Sequence, residues 1–526
     1  MRDRVNQAVP NAAAFPRALV VVAVASLFLL AGAVGPAAAE ERADPDTDTL
    51  GWENGYWHDD PIEIEAADGL NETELQAIVA RMTARLETIR ELEYTRTVDV
   101  SIINRSTYVA DRGANDSANT STHERWNNQV WEGLFIVGER EDFSSAANQT
   151  YSTAVQGFYS AEEEQIVIVS DSPTPVLNRG TLAHELTHAL QDQQLSLTYP
   201  NATQDQQLAG MGVIEGEANL LERRYQRNCG AAWSCYEPPS SGGGGGGGGG
   251  LNTGVLLVLL NPYVSGPGFV QSAHDDGGWA AVDALYEAFP ASSEQVIHPE
   301  RYPEETPVPV TVENRSTGGW ERFDHDPVAD TVGEASIYAM LVENGATGPG
   351  VSRYGYVAEA SVGWGGDTLV PYRRGEADGY VWKTAWDSES DAREFHEAYR
   401  AVLETHDASR HSESVWVVPE SDPFGDAFRV TREGETVTIV NGPTVRDLAQ
   451  IHATAEPPST PTGTSAPAAS RTTSVVPATT ATATSAPGAT ATETPGTTTA
   501  ASGPGFGLAA TVLGLLVAVL AARRHS

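Results

Sequence analysis

In NETELQAIVARMTARLETIREL, Leu75, Ile78, Val79, Met82, Leu86 and Ile89 recur three or four residues apart. That spacing predicts a helix with one buried face, and Asn71 or Thr73 can cap its start. RTVDVSIIN and WEGLFIVG are short β-branched and aromatic runs and predict strands. AVQGFYSAEEEQIVIVSD predicts a hairpin whose second strand is 165–170. An apolar-faced helix is predicted at about 178–195 and a second at 207–227. The run VLLVLL, 255–260, is too short to cross a bilayer and is expected in the core. GGWAAVDALYEAF, DPVADTVGEASIYAMLVE and DAREFHEAYRAVL predict further helices, and FRVTREGETVTIVNG a closing hairpin. The glycines of GWGGDTLVPYR predict tight turns, in a segment that can line a cleft. The class is α+β, without internal repeats.

The pattern breaks at both ends. A basic start (Arg2, Arg4, Arg17), an apolar run over 18–34 and the small residues Ala37, Ala38 and Ala39 predict a signal peptide at 1–39. A retained signal anchor is the alternative. The globular region is expected at 40–450, with its metal core at about 151–402. Gly242 to Gly250 form a nine-glycine insertion, which reads as a flexible surface segment. Residues 451–503 are Thr, Ala, Ser and Pro, too poor in apolar residues for a core, and predict an extended stalk. Residues 504–526 hold Pro504-Gly505-Phe506, an apolar span and Arg523-Arg524. Positive charge at that end predicts a cytoplasmic terminus and an exported globular part. Seven N-x-S/T sequons, at Asn71, Asn104, Asn115, Asn119, Asn148, Asn201 and Asn314, fit a glycosylated surface protein.

Composition sharpens this in two ways. The net charge of −39 excludes a basic face for nucleic acid. Lys is almost absent, and an acidic surface stays solvated where salt screens its repulsion. The only cysteines, Cys229 and Cys235, are expected to close a small local disulfide outside the cell.

The candidate chemistry is TLAHELTHALQDQQ. His184 and His188 are four apart, so on a helix they lie about 40° apart on one face and can reach one Zn2+. Glu185, beside the first ligand, can take a proton from a metal-bound water. With this composition chance gives roughly 0.02 HExxH matches, so the pattern is specific. A catalytic zinc needs a third protein ligand. VIEGEANLLE follows after a 26-residue gap between His188 and Glu215 and offers Glu215, Glu217 and Glu222. Glu215 is the expected ligand, with Asn219 on its face as a partner for His184 or His188. Glu217 lies about 200° away around the helix and is the runner-up. In EQVIHPERY, His298 or Tyr302 is a candidate donor to an oxyanion. His274, His325, His396, His406 and His411 lack partner spacing and are read as surface residues.

HELTHALQDQQ with EGEAN resembles the gluzincin-type zinc metallopeptidases. The resemblance implies a zincin-like fold, a mixed sheet plus an active-site helix, with a Glu on a later helix as third ligand. Asn219 stands where related motifs carry Asp. The same segments, with GGWAAVDALYEAFPASSEQVIHPERY and GWGGDTLVPYR, resemble a group of secreted bacterial and archaeal proteins over about 151–402. The C-terminus resembles the PGF-type sorting signal of haloarchaeal surface proteins, which implies an archaeosortase partner and a lipid in place of the span. A plain tail anchor is the alternative, and both put the protein at the cell surface. The expected function is a surface-anchored zinc metallopeptidase acting on peptide or protein substrates, with Glu185 as base. The alternatives are a non-catalytic surface module and a zinc amidase for envelope material.

Overall fold

The computed structural model describes residues 42–453, except 62–63, 65–68, 114–120, 171–176 and 238–250. The signal peptide, the glycine run, the stalk from 454 and the sorting signal lie outside the described residues.

The described part is α+β. A three-stranded mixed sheet places Gln165–Ser170 between Asp99–Asn104, parallel to it, and Gly157–Ser160, antiparallel. The helix Arg179–Gln194 follows this sheet, and Asn178 caps its first turn through Gly180 and Thr181. Leu182, Ala183, Leu186, Ala189 and Leu190 are buried, which fixes the rotation of this ligand helix. The chain returns in the helix Gln204–Asn228, capped by Thr203. This return helix packs on the long helix Thr253–Glu287, which contains Val255 to Leu260 as core residues. The long helix is apolar enough to cross a membrane, yet 78% of its most apolar window is buried inside the protein. It is a core element, bent where Gly277 and Gly278 leave helical geometry.

A second sheet has seven antiparallel strands. Its order is Glu321–Arg322, Trp364–Arg374, Ala377–Trp386, Thr436–Gly442, Ala427–Glu433, Val415–Val417 and Ser409–Arg410. The helix Glu389–Thr405 packs on its strands.

Three expectations change. WEGLFIVG is not a strand: the helix Thr122–Gly133 runs into it, and Leu134 to Val137 turn within the core. A continuous apolar run has no period with which to tell a strand from a buried helix end. GWGGDTLVPYR is mostly strand, Trp364–Arg374, and its glycines mark a bulge between Trp364 and Gly366. EQVIHPERY is a short helix, Ser293–Ile297, and a 3₁₀ turn, Pro299–Arg301, where a loop is expected.

The return and long helices meet backbone to backbone. A Cβ on Gly216 would stand 2.5 Å from the Gly266 carbonyl carbon, and one on Gly266 would stand 2.3 Å from the Gly212 oxygen. Gly333, with φ +77°, lets the second-sheet region close on the start of the return helix, where a Cβ would strike Asp205. There Gln204 N–H donates to Asp330 Oδ1 at 2.9 Å, and Asp205 N–H to the Thr331 carbonyl at 3.0 Å.

Two predictions follow from this packing. Gly216→Ala destabilises the fold by about 1–3 kcal/mol, because backbone atoms must part. Gly268→Ala, on an open face of the long helix, stabilises it by about 0.5–1 kcal/mol; urea titration of both variants checks the contrast. Burial raises Asp205 and Asp330 to about 7 and Asp367 to about 6. A carboxyl raised above its unfolded value of about 3.9 binds more protons folded than unfolded. Its contribution is full below about pH 4 and falls away as pH rises through about 6–7. The melting temperature is therefore expected to be higher at pH 5.5 than at pH 8, as calorimetry at fixed salt would show.

Candidate metal centre

The ligand and return helices bring His184, His188 and Glu215 together. Glu215 Oε2 lies 3.1 Å from His184 Nε2 and 3.4 Å from His188 Nε2. Tetrahedral zinc bonds of about 2.0–2.1 Å set ligand atoms about 3.3–3.4 Å apart, so these edges match the ion. His188 Nε2 and Glu215 Oε1 are buried without a hydrogen-bond partner among the described residues. Two imidazole nitrogens and a carboxylate form a donor set suited to zinc. The side chains fit the ion.

The neighbours orient the ligands. His188 Nδ1 stands 2.8 Å from Gln191 Oε1, one helical turn on. With the proton on Nδ1, that contact leaves the Nε2 lone pair facing the cluster. His184 Nδ1 faces Glu222 Oε2 at 3.6 Å. Gln226 Nε2 holds the other oxygen of Glu222 at 2.8 Å. The ring of Tyr263, from the long helix, lies nearly parallel to that of His184, with centroids 6.3 Å apart.

Without a cation the cluster is an ion pair. Burial opposes the His184 charge, but Glu215, Glu222 and Glu185 outweigh it and lift the ring to about 10. Burial likewise opposes the Glu215 carboxylate, and His188 and His184 overcome this and hold it below its usual value. Tyr199 is pushed up to about 12 by burial and by the Glu215 charge.

Glu217 is not in this cluster. It turns to the other side of its helix, where Arg90, the Tyr286 hydroxyl and Gln191 Nε2 donate to it. Arg90 also pairs with Asp283 and lies over the Trp279 ring at 4.5 Å. Gln191 Nε2 further donates to the Ile214 carbonyl at 3.0 Å. The chain His188–Gln191–Glu217–Arg90 thus ties a candidate ligand to a buried ion pair. Asn219 orients neither histidine: its amide donates at 2.9 Å to the Glu215 carbonyl of its own helix.

The remaining candidates are engaged elsewhere. His298 Nε2 faces Glu334 Oε2 at 3.2 Å, and Tyr302 donates to the Ala288 carbonyl at 2.6 Å. Neither has a described contact with the His–Glu cluster. Cys229 and Cys235 form a disulfide beyond the end of the return helix. Four of the five histidines read as surface residues are half-buried; His406 lies between Asp422 and Asn344, at 3.0 and 2.8 Å. Sequence reasoning missed Gln191, although its i+3 spacing from His188 was readable. Tyr263 carries no such signal, since it reaches His184 from a helix 79 residues further on.

A protein-family model described as a domain of unknown function (DUF8575) matches residues 321–452. That stretch contains the seven-stranded sheet and none of His184, Glu185, His188 and Glu215. No curated protein and no solved structure matches the chain.

The buried pair gives a prediction. Arg90→Met leaves Glu217 charged and uncompensated and costs about 3–5 kcal/mol. Adding Glu217→Gln to that variant recovers most of the loss, measured by equilibrium unfolding.

Proposed function

We propose that the protein is a zinc-dependent peptide hydrolase with a zincin-like centre, held at the outer cell surface by its C-terminus. The reading is supported above all by the convergence of His184 Nε2 and His188 Nε2 on Glu215 Oε2, at 3.1 and 3.4 Å. Zinc, when bound, acts as a Lewis acid that polarises a substrate carbonyl and makes water a nucleophile near neutral pH. Glu185, between the two histidines on the ligand helix, takes the proton of the attacking water and passes it to the leaving amine. Gln191 and Glu222 keep the imidazoles turned toward the ion, and Tyr263 walls the His184 side. Arg523-Arg524, the apolar span and the stalk support membrane attachment and processing by an archaeosortase-type enzyme. The acidity argues against nucleic acid as a partner.

One observation favours a second reading, a zinc module without catalysis. His184, Glu185, His188 and Glu215 are only 3%, 0%, 2% and 1% exposed, so a substrate must displace covering residues to reach them.

Zinc content and peptide cleavage in high salt separate the two. Glu185→Gln is expected to keep one zinc per chain while cleavage falls by about 10²–10⁴-fold. His188→Ala loses both. Wild-type protein that holds zinc and cleaves no peptide supports the module; wild-type protein that binds no zinc overturns both readings.

A further inference from the structure

The end of the return helix, the loop closed by Cys229–Cys235 and the helix Glu72–Arg90 border an open cavity of about 320 Å³. Thr88 and Ile89 line it from one helix, Arg224, Arg227 and Asn228 from the other, and Trp233 from the disulfide loop. The chain carries 32 basic residues against 71 acidic ones, yet this lining has two arginines and no carboxylate. Neither arginine forms an ion pair among the described residues. They lie nine and twelve residues beyond Glu215. On a helix that is about 180° and 120° around and roughly 14 and 18 Å along the axis. The cavity is therefore separate from the His–Glu cluster and independent of zinc there.

Arg224 is held in place by uncharged groups. Its guanidinium lies over the Trp279 ring at 4.8 Å and donates to His274 Nε2 and Gln271 Oε1, each at 3.3 Å. An imidazole nitrogen that accepts a hydrogen bond carries no proton, so neither acceptor offsets the charge. Burial pushes Arg224 below the usual arginine range, Arg227 adds to this, and Asp275 offsets only part of it. The helix dipole favours a cation on the last turn, which accounts for Arg227 but not for a second guanidinium a turn earlier. The opposite wall is fixed in advance. Trp233 N–H donates to the Asn228 carbonyl at 3.0 Å, and the Arg85 guanidinium covers the Trp233 ring at 5.1 Å. Thr88 gives its hydroxyl proton to the Arg85 carbonyl at 2.8 Å, so it has none for a ligand.

We propose that this cavity binds a small organic dianion of the phosphate monoester class. Its anionic group sits on Arg224, Arg227 and the Asn228 amide, and its apolar body lies against Trp233 and Ile89. Guanidinium groups present forked donors that match phosphate oxygens, and charge-assisted bonds of this kind are the strong ones. Two unpaired guanidinium groups on one cavity repel each other, and a dianion between them replaces that repulsion with two attractions. A phosphate monoester carries close to two charges above neutral pH. The volume is near the lower end of small-ligand sites, which span about 300–1,000 Å³, so the body is small. The Trp233 and Ile89 wall favours an organic ligand over a bare inorganic ion, because burying apolar surface there adds to the charge term.

The test is calorimetric titration of the full chain with phenyl phosphate at pH 8, in the lowest salt that keeps it folded, since salt screens an open site. One saturable phenyl phosphate is expected per chain. Inorganic phosphate has the charge without the ring, and benzoate has the ring with a single charge; each is expected to bind at least tenfold more weakly. Arg227→Gln alters an exposed side chain that makes no described hydrogen bond, so the melting temperature stays while affinity falls at least tenfold. Arg223→Gln removes an exposed charge next to the cavity but outside its lining, and leaves affinity unchanged. No saturable binding by the wild-type chain overturns the proposal. Equal affinity in wild type and Arg227→Gln overturns it as well, and is the result that an anion held at the histidines would give. An equal loss in Arg223→Gln overturns it by showing diffuse attraction. Inorganic phosphate or benzoate binding as tightly as phenyl phosphate overturns the ligand class.

Discussion

The contact on which the centre depends involves no ligand. The return helix meets the long helix through Gly212, Gly216 and Gly266, at separations no side chain tolerates. That contact sets the rotation of the return helix about its own axis. Glu215, next to Gly216, then points to the histidines, while Glu217, about 200° further round, points to Arg90. The choice between two glutamates two residues apart is made by the glycines beside them. Packing at this density leaves little freedom to turn the helix by a fraction of a residue.

The same geometry explains how so many charges are buried. Arg90 and Glu217 are both about 1% exposed, a placement that would cost several kcal/mol per ion unsupported. Tyr286, Gln191, Asp283 and the Trp279 face supply the support. Gln191 belongs to both systems: its amide nitrogen serves Glu217, and its oxygen serves His188. Orientation of a candidate ligand is thereby coupled to an ion pair that also anchors the helix Glu72–Arg90. Substitutions far from the cluster can then turn an imidazole without removing it.

What the sequence made legible tracks what is local. The first helix, its Asn71 cap and the hairpin ending at Ser170 are read from period and turn chemistry alone. The ligand and return helices fall within a few residues of their predicted bounds. His184 and His188 are legible because four residues on a helix fix their relation. The preference for Glu215 over Glu217 also came from helical angle, and it coincides with the observed side of the helix. Asn219 satisfies the same angular rule, yet its amide bonds back to its own helix, a choice periodicity does not encode. Tyr263 beside His184 and the carboxyl group around Asp205 join residues 79 to 162 positions apart. No local pattern carries such pairings. WEGLFIVG failed for a related reason: its run is buried on all sides, so alternation is absent.

The division of labour between the two halves bears on how the centre is held. The second-sheet region supplies no ligand to the His–Glu cluster, but it grips the start of the helix that carries Glu215. Asp330 accepts the Gln204 N–H, Thr331 accepts that of Asp205, and Gly333 has no Cβ to keep Asp205 away. Asp367 in turn accepts from Val332, Gly333, Trp364 and Trp382, fastening that grip to the sheet. A helix N-terminus has backbone donors that its own turns cannot satisfy. Here two of them are satisfied by a region more than 100 residues later in the chain. The matched stretch thus bears on the His–Glu cluster through the Glu215 helix rather than by supplying a ligand to it. A change in the Asp330–Gly333 turn should be felt at Glu215 before it is felt at the histidines, whose helix is held by the other sheet.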